Sequence, residues 1–178
     1  MRAFSRALLV AATACAVIGG GTAAAMSASG QETSTTDEQP SIVEDFTYPG
    51  AAQILATDNV NLISGDGHIV YTGCPVGPDT VGLIMVRTTD LVGQSGDGKI
   101  CFHVLGASGH LTMKIPAVYS IRGDGLQGGQ GHKLKATLTT DDETQTVVDV
   151  NPSGTTQVGI TTNPPGNPTT LLQLDASS

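Results

Sequence analysis

Three Gly-Asp-Gly tripeptides, Gly65-Asp66-Gly67, Gly96-Asp97-Gly98 and Gly123-Asp124-Gly125, and four histidines, His68, His103, His110 and His132, hold most of the chemistry this chain has to offer. An aspartate in a glycine-rich loop presents a carboxylate and backbone carbonyls, the oxygen donors Ca²⁺ takes, and extracellular modules often bind that ion weakly. The spacing here is irregular, and no single loop supplies the successive acids of an EF-hand. Asp-Gly is equally a hairpin turn, because Gly accepts positive φ. The tripeptides read as turns, weak Ca²⁺ binding is the one cofactor reading left, and no other cofactor is implied. His103 and His110 flank a turn over 106–109 and are expected to approach each other across a hairpin. Two imidazoles make half a zinc site, and there is no HExxH motif, so the histidines read as structural and no metal site is expected.

A nucleophile is equally hard to assign. Gly93-Gln94-Ser95-Gly96-Asp97 and Gly106-Ala107-Ser108-Gly109-His110 are the nearest strings, and neither is Gly-x-Ser-x-Gly. Both fall between expected strands rather than on the strand-to-helix turn that strains a hydrolase serine into position. A triad can be assembled from distant residues, which leaves a small hydrolase with His103 or His110 as base and Ser108 as nucleophile as an alternative. Arg122-Gly123-Asp124 spells the tripeptide integrins recognise, but its aspartate is already explained as a turn residue. Outside the first 25 residues the aromatics are Phe46, Tyr48, Tyr71, Phe102 and Tyr119, with no Trp, which is the strongest platform for stacking a sugar ring. Tyr48, Asp66, His68, Tyr119 and Asp124 fall at expected loop edges and are the candidate binding residues.

The elements that must position these residues are mostly strands. Tyr48 to Ala56 has the one helical pattern, a proline near a helix start followed by good helix formers. After it, short runs alternate in the manner of strands: 60–63, 68–72, 81–88, 99–105, 110–115, 118–121, 133–139, 144–150, 157–161 and 170–174. In the cleanest pair, 133–139 against 146–150, polar residues alternate with Leu134, Ala136 and Leu138, so one face meets solvent and the other a core. Up to ten strands and one short N-terminal helix predict an all-β fold, an antiparallel two-sheet β-sandwich, with a partly closed barrel as the alternative.

The N-terminus reads as an export signal. Arg2 and Arg6 precede an apolar run over 7–18, and Ala23-Ala24-Ala25 supplies small residues for cleavage. The run is too short to span a bilayer. Ala12-Thr13-Ala14-Cys15 partly resembles a lipobox, but Ala replaces the usual Leu and the apolar stretch continues beyond Cys15. The expected organisation is a signal peptide over 1–25, a disordered Ser/Thr/acidic spacer over 26–41, and a single domain over 42–178. Without Cys15, Cys74 and Cys101 remain, an even pair that in an oxidising compartment predicts one disulfide. Without Arg2 and Arg6 the 8 basic residues fall to 6 against 16 acids, a charge of −10 that repels nucleic acid and anionic membrane.

Over 43–51, 65–69, 115–119 and 170–174 the chain resembles a group of uncharacterised small secreted proteins of Streptomyces-like actinobacteria. The resemblance implies a secreted, Gram-positive origin and transfers no catalytic or binding residue. The chain is unlike the small secreted subtilisin inhibitors of the same organisms, which have a two-disulfide pattern. The expected protein is extracellular and monomeric, a non-catalytic module that binds cell-wall polymer or another exported protein through its loops. Besides the hydrolase, a protease inhibitor presenting Pro75 to Asp79 is the remaining alternative.

Overall fold

A computed structural model describes residues 46–76, 82–125 and 131–178 of the chain. The expected signal, the spacer and residues 77–79 of the proposed inhibitory loop lie outside the described residues. The fold is antiparallel and almost entirely β. One helix, α1 (Ala51–Asp58), precedes β1 (Asn61–Gly65), β2 (Ile69–Thr72), β3 (Leu83–Thr88), β4 (Lys99–Val104), β5 (Ser108–Arg122), β6 (Lys133–Thr139), β7 (Gln145–Val150), β8 (Thr155–Gln157) and β9 (Thr169–Ser177). Among the described residues no helix is long and apolar enough to cross a membrane.

The strands form one hydrogen-bonded network in the order β2-β4-β3-β5-β9-β6-β7, with β1 and β8 also against β5. β5 is the member common to both halves. Near its start Leu111 and Thr112 have partners on both β1 and β9, and near its end Ser120, Ile121 and Arg122 have partners on both β3 and β8. The expected strands at 110–115 and 118–121 are therefore one. Proline cannot donate to a ladder and normally ends a central strand. Here Pro116 and Ala117 occupy a bend where the β9 register shifts, Ala117 takes φ 52°, and their carbonyls accept from the Thr88 hydroxyl and the Thr89 N–H. The two sheets expected from the sequence are thus two halves of one hydrogen-bonded network joined through β5.

Alternation decides the core. In β6 Leu134, Ala136 and Leu138 are buried while Lys133 and Lys135 are exposed, and in β5 Leu111, Met113 and Ile115 point inward. These join Ile84, Val86, Ile100, Phe102, Ile121, Leu171 and Leu174 from both halves in a single cluster. Each such side chain contributes roughly 1.5–3 kcal/mol by leaving water. α1 begins at Gly50, whose φ of 72° a β-carbon would strain, and ends at Asn59 with a left-handed cap. Its Ala51 and Ile54 pack on the core, and the Tyr71 hydroxyl donates to Asp58 at 2.9 Å, which ties the helix to β2.

The Cys74–Cys101 disulfide forms, with a Cα–Cα distance of 5.2 Å. Cys101 lies within β4 opposite Thr72, so the bond fastens the end of edge strand β2 to its neighbour. The enclosed chain contains all of β3 and is not only a loop. The segment expected as a strand over 157–161 divides differently: β8 ends at Gln157, and Gly159, at φ 56°, turns the chain into a single 3-10 turn.

Candidate functional site

Three of the four histidines each face an aspartate, and two of them, His68 and His132, also bond the connection between β4 and β5. Asp66 follows β1, and its Oδ1 accepts the His68 N–H and its Oδ2 the His110 N–H, both at 2.9 Å. The His68 ring nitrogen Nδ1 lies 3.5 Å from the same carboxylate. Burial alone raises the Asp66 pKa, but the His68 and His110 N–H bonds and the nearby imidazoles outweigh it and hold the carboxyl below its usual value. Asp124, just after β5, is buried and accepts the His132 N–H at 2.9 Å and His132 Nδ1 at 2.5 Å. His132 Nε2 lies 2.9 Å from the Gly106 carbonyl. Both ring nitrogens of His132 face acceptors, so both bonds are made together only by the imidazolium, with Asp124 as its counter-ion.

The same connection is held from two further directions. The Leu105 N–H donates to the His68 carbonyl at 2.8 Å, and the Ser178 hydroxyl to the Ala107 carbonyl at 2.9 Å. At Gly109 a β-carbon would come within 2.7 Å of Ile69 and 3.1 Å of the His68 β-carbon, so only glycine lets β5 start this close to β2.

The third pair lies on the solvent face of the half-sheet β5-β9-β6-β7. His110 opposes Asp175 across the β5–β9 ladder, and Thr112 opposes Gln173. Asp175 Oδ1 lies 2.7 Å from His110 Nδ1, His110 Nε2 lies 3.2 Å from the Thr112 hydroxyl, and the Gln173 amide donates to the other Asp175 oxygen at 2.7 Å. The result is a Gln-Asp-His-Thr chain in which each group orients the next. Asp175 also borders a cleft of about 380 Å³ with Lys133, Lys135, Asp149, Pro152 and Ser177, where Lys135 pairs with Asp149 at 2.8 Å. The His110 and Asp175 side chains remain 44% and 39% exposed, so the face is open to a large ligand.

Of the five candidates read from the sequence, Asp66, His68 and Asp124 come together around the β4–β5 connection. Tyr48 precedes the Pro49-Gly50 turn, but its side chain does not face solvent. It is buried in the core, where its hydroxyl accepts the Tyr71 N–H at 2.7 Å and so satisfies a donor that edge strand β2 would otherwise leave unpaired. The exposed ring near β1 is instead that of Phe46, whose carbonyl accepts the Gly65 N–H. Tyr119 is half-buried on β5 and borders a separate groove with Met85, Arg87 and Arg122. His103 and His110 do not meet across a hairpin, because β4 pairs with β2 and β3 while β3 intervenes between β4 and β5. Ser108 opposes Ser177, and His110 bonds Thr112 instead.

Two of the three Gly-Asp-Gly motifs are turns in which the carboxylate accepts the N–H two residues on, whereas Gly123-Asp124-Gly125 donates its glycine N–H groups to the Gly154 and Pro152 carbonyls. Asp97 repeats the Asp66 pattern, accepting the Lys99 N–H and its ammonium, and the bond from that ammonium is the main reason its pKa is lowered. Among the described residues no group of three or more His, Cys, Asp or Glu is arranged to hold a metal ion. Asp175, Thr112, Gln173 and His132 are the site residues a linear reading missed. The available signal was polar alternation in His110-Leu111-Thr112 and Gln173-Leu174-Asp175, which puts those side chains on one face of each strand but does not give the register between strands. Comparison with protein-family models and with curated proteins finds no match for the chain.

Proposed function

We propose that the chain is a secreted, monomeric, non-catalytic module that binds cell-wall polymer on the solvent face of β5-β9-β6-β7. The observation that carries this reading is the Gln173-Asp175-His110-Thr112 chain. It is a row of mutually oriented donors and acceptors on rigid strands, continuous with the Lys135–Asp149 pair. Side chains already fixed in one geometry lose little freedom on binding, and an open face suits an extended hydroxyl-rich polymer more than a small molecule. The disulfide supports an oxidising compartment. The test is co-sedimentation of the chain with insoluble cell walls. Wild type pellets at moderate salt, and Asp175→Ala and His110→Ala, each of which breaks the row, lose at least half of that pelleting. A wild type that stays in the supernatant, or variants that pellet equally, overturns the proposal.

A hydrolase is the second reading, favoured by one specific observation: Asp175, His110 and Thr112 are in the order of an acid, a base and a nucleophile. The surroundings count against it. Thr112 is laddered to Ser64 on one side and Gln173 on the other, so its strand amides serve the sheet and not a developing oxyanion. Hydrolysis of wall polymer or a model ester, abolished by Thr112→Ala, would decide for this reading.

A further inference from the structure

The opposite half of the network carries a feature the polar face does not use. The two arginines of the domain, Arg87 and Arg122, line both of two adjoining cavities of about 250 and 220 Å³ on β3 and the end of β5. The register places them together: Arg122 opposes Met85, and Arg87, two residues on, opposes both Lys99 and Ser120. Lys99 borders one cavity, and Ser120, Thr155 and Gln157 border the other. Among the described residues that line the two cavities the acid is Asp97, which is paired with Lys99 at 2.6 Å. Arg87 donates Nε–H to the Met85 sulfur at 3.4 Å, a weak acceptor. In a chain of net charge −8 this gathering of cations is a local reversal of sign.

We infer that this double groove is a binding site for an anion carrying consecutive phosphates, a polyphosphate chain. The guanidinium fork matches phosphate oxygens in pairs. A carboxylate would occupy one fork and leave the rest of the donor set idle. A phosphate presents further oxygens, which the Ser120 and Thr155 hydroxyls and the Gln157 amide can meet. Two cavities that share the Arg87 and Arg122 wall accommodate two linked phosphates better than one. The acidic remainder of the surface repels anions elsewhere and confines them to the groove.

The test is calorimetric titration of the intact chain with inorganic phosphate, tripolyphosphate and poly-glutamate at 50 mM salt, and flotation with vesicles containing an anionic phospholipid. Tripolyphosphate is expected to bind at least tenfold more tightly than inorganic phosphate or poly-glutamate residues at equal charge. Arg87→Gln should weaken it at least tenfold, Arg87→Lys should give an intermediate loss because the charge stays and the fork goes, and Lys114→Gln on the other half should leave it unchanged. An unaltered melting temperature in Arg87→Gln separates lost binding from lost folding. Equal affinity for poly-glutamate, equal loss in Lys114→Gln, or an unaffected Arg87→Gln would each overturn the site in favour of diffuse charge. Binding to vesicles without binding to tripolyphosphate would overturn it in favour of a lipid surface.

Discussion

Replacing Asp124 with Ala tests whether the β4–β5 connection is held by an ion pair. The carboxylate is 8% exposed and accepts two bonds from one residue, the His132 N–H and the His132 ring, while that ring reaches the Gly106 carbonyl with its other nitrogen. Removing the acceptor strands one backbone donor and one ring donor. A hydrogen bond to a charged group is worth about 1.5–3 kcal/mol, and breaking a fully buried pair costs about 3–5 kcal/mol. His132 is 26% exposed, so water recovers part of the loss, and the expected cost is about 2–4 kcal/mol. With roughly 0.3 kcal/mol per degree for a domain of this size, Tm falls by about 7–13 °C. Asp124→Asn supplies the discriminating control. Its amide can accept from the His132 N–H and donate to a neutral His132 Nδ1, and Nε2–H then still reaches Gly106, so the cost drops to about 1 kcal/mol. Thermal and urea unfolding of both variants measures the ordering. A cost for Asp124→Ala within 0.5 kcal/mol of zero, or equal costs for Ala and Asn, would refute the clamp.

Three further outcomes follow from the structure. The Cys74→Ala/Cys101→Ala double variant opens a loop whose ends are 27 residues apart, and the chain-entropy model gives a loss of about 3.5 kcal/mol, read by urea unfolding. Asp66→Asn is expected to destabilise at neutral pH and to have no effect in acid. Because the folded carboxyl titrates below its ordinary value of about 3.9, its stabilisation is complete above that pH and is lost as pH falls through the folded value; unfolding curves from pH 7 to pH 2 should converge. Ala117→Gly relieves a φ of 52° at the β5 bend and should raise stability by about 0.5–1 kcal/mol, whereas a decrease would show that the bend is not strained.

The strands were legible because this chain alternates cleanly: Leu134, Ala136 and Leu138 face the core as their spacing requires. The bend in β5 was not, since a proline reads as a stop unless the carbonyls around it are known to find partners, here Thr88 and Thr89. Asp66 and Asp97 were legible as turn residues, because glycine beside an aspartate favours a turn. What each turn holds was not legible. Asp66 reaches His110 across 44 positions, and His110 reaches Asp175 across 65. Such pairings depend on register, which no single strand encodes. Tyr48 misled for a related reason: an aromatic before Pro-Gly resembles a loop platform until the edge donor it satisfies is known.

The length of β5 has a mechanical consequence. His110 and Arg122 stand on one strand, on either side of the Pro116–Ala117 bend, and border the two surfaces proposed above as ligand sites. A polymer gripped at one end and a second gripped at the other would pull along this ribbon. Force in that direction loads the ladders to β1, β3, β8 and β9 in shear, with many bonds resisting at once, instead of peeling them one by one. Tension between ligands held at the two proposed surfaces would load these ladders together, and single-molecule stretching through residues 110 and 122 should meet far more resistance than stretching across the β6–β7 hairpin.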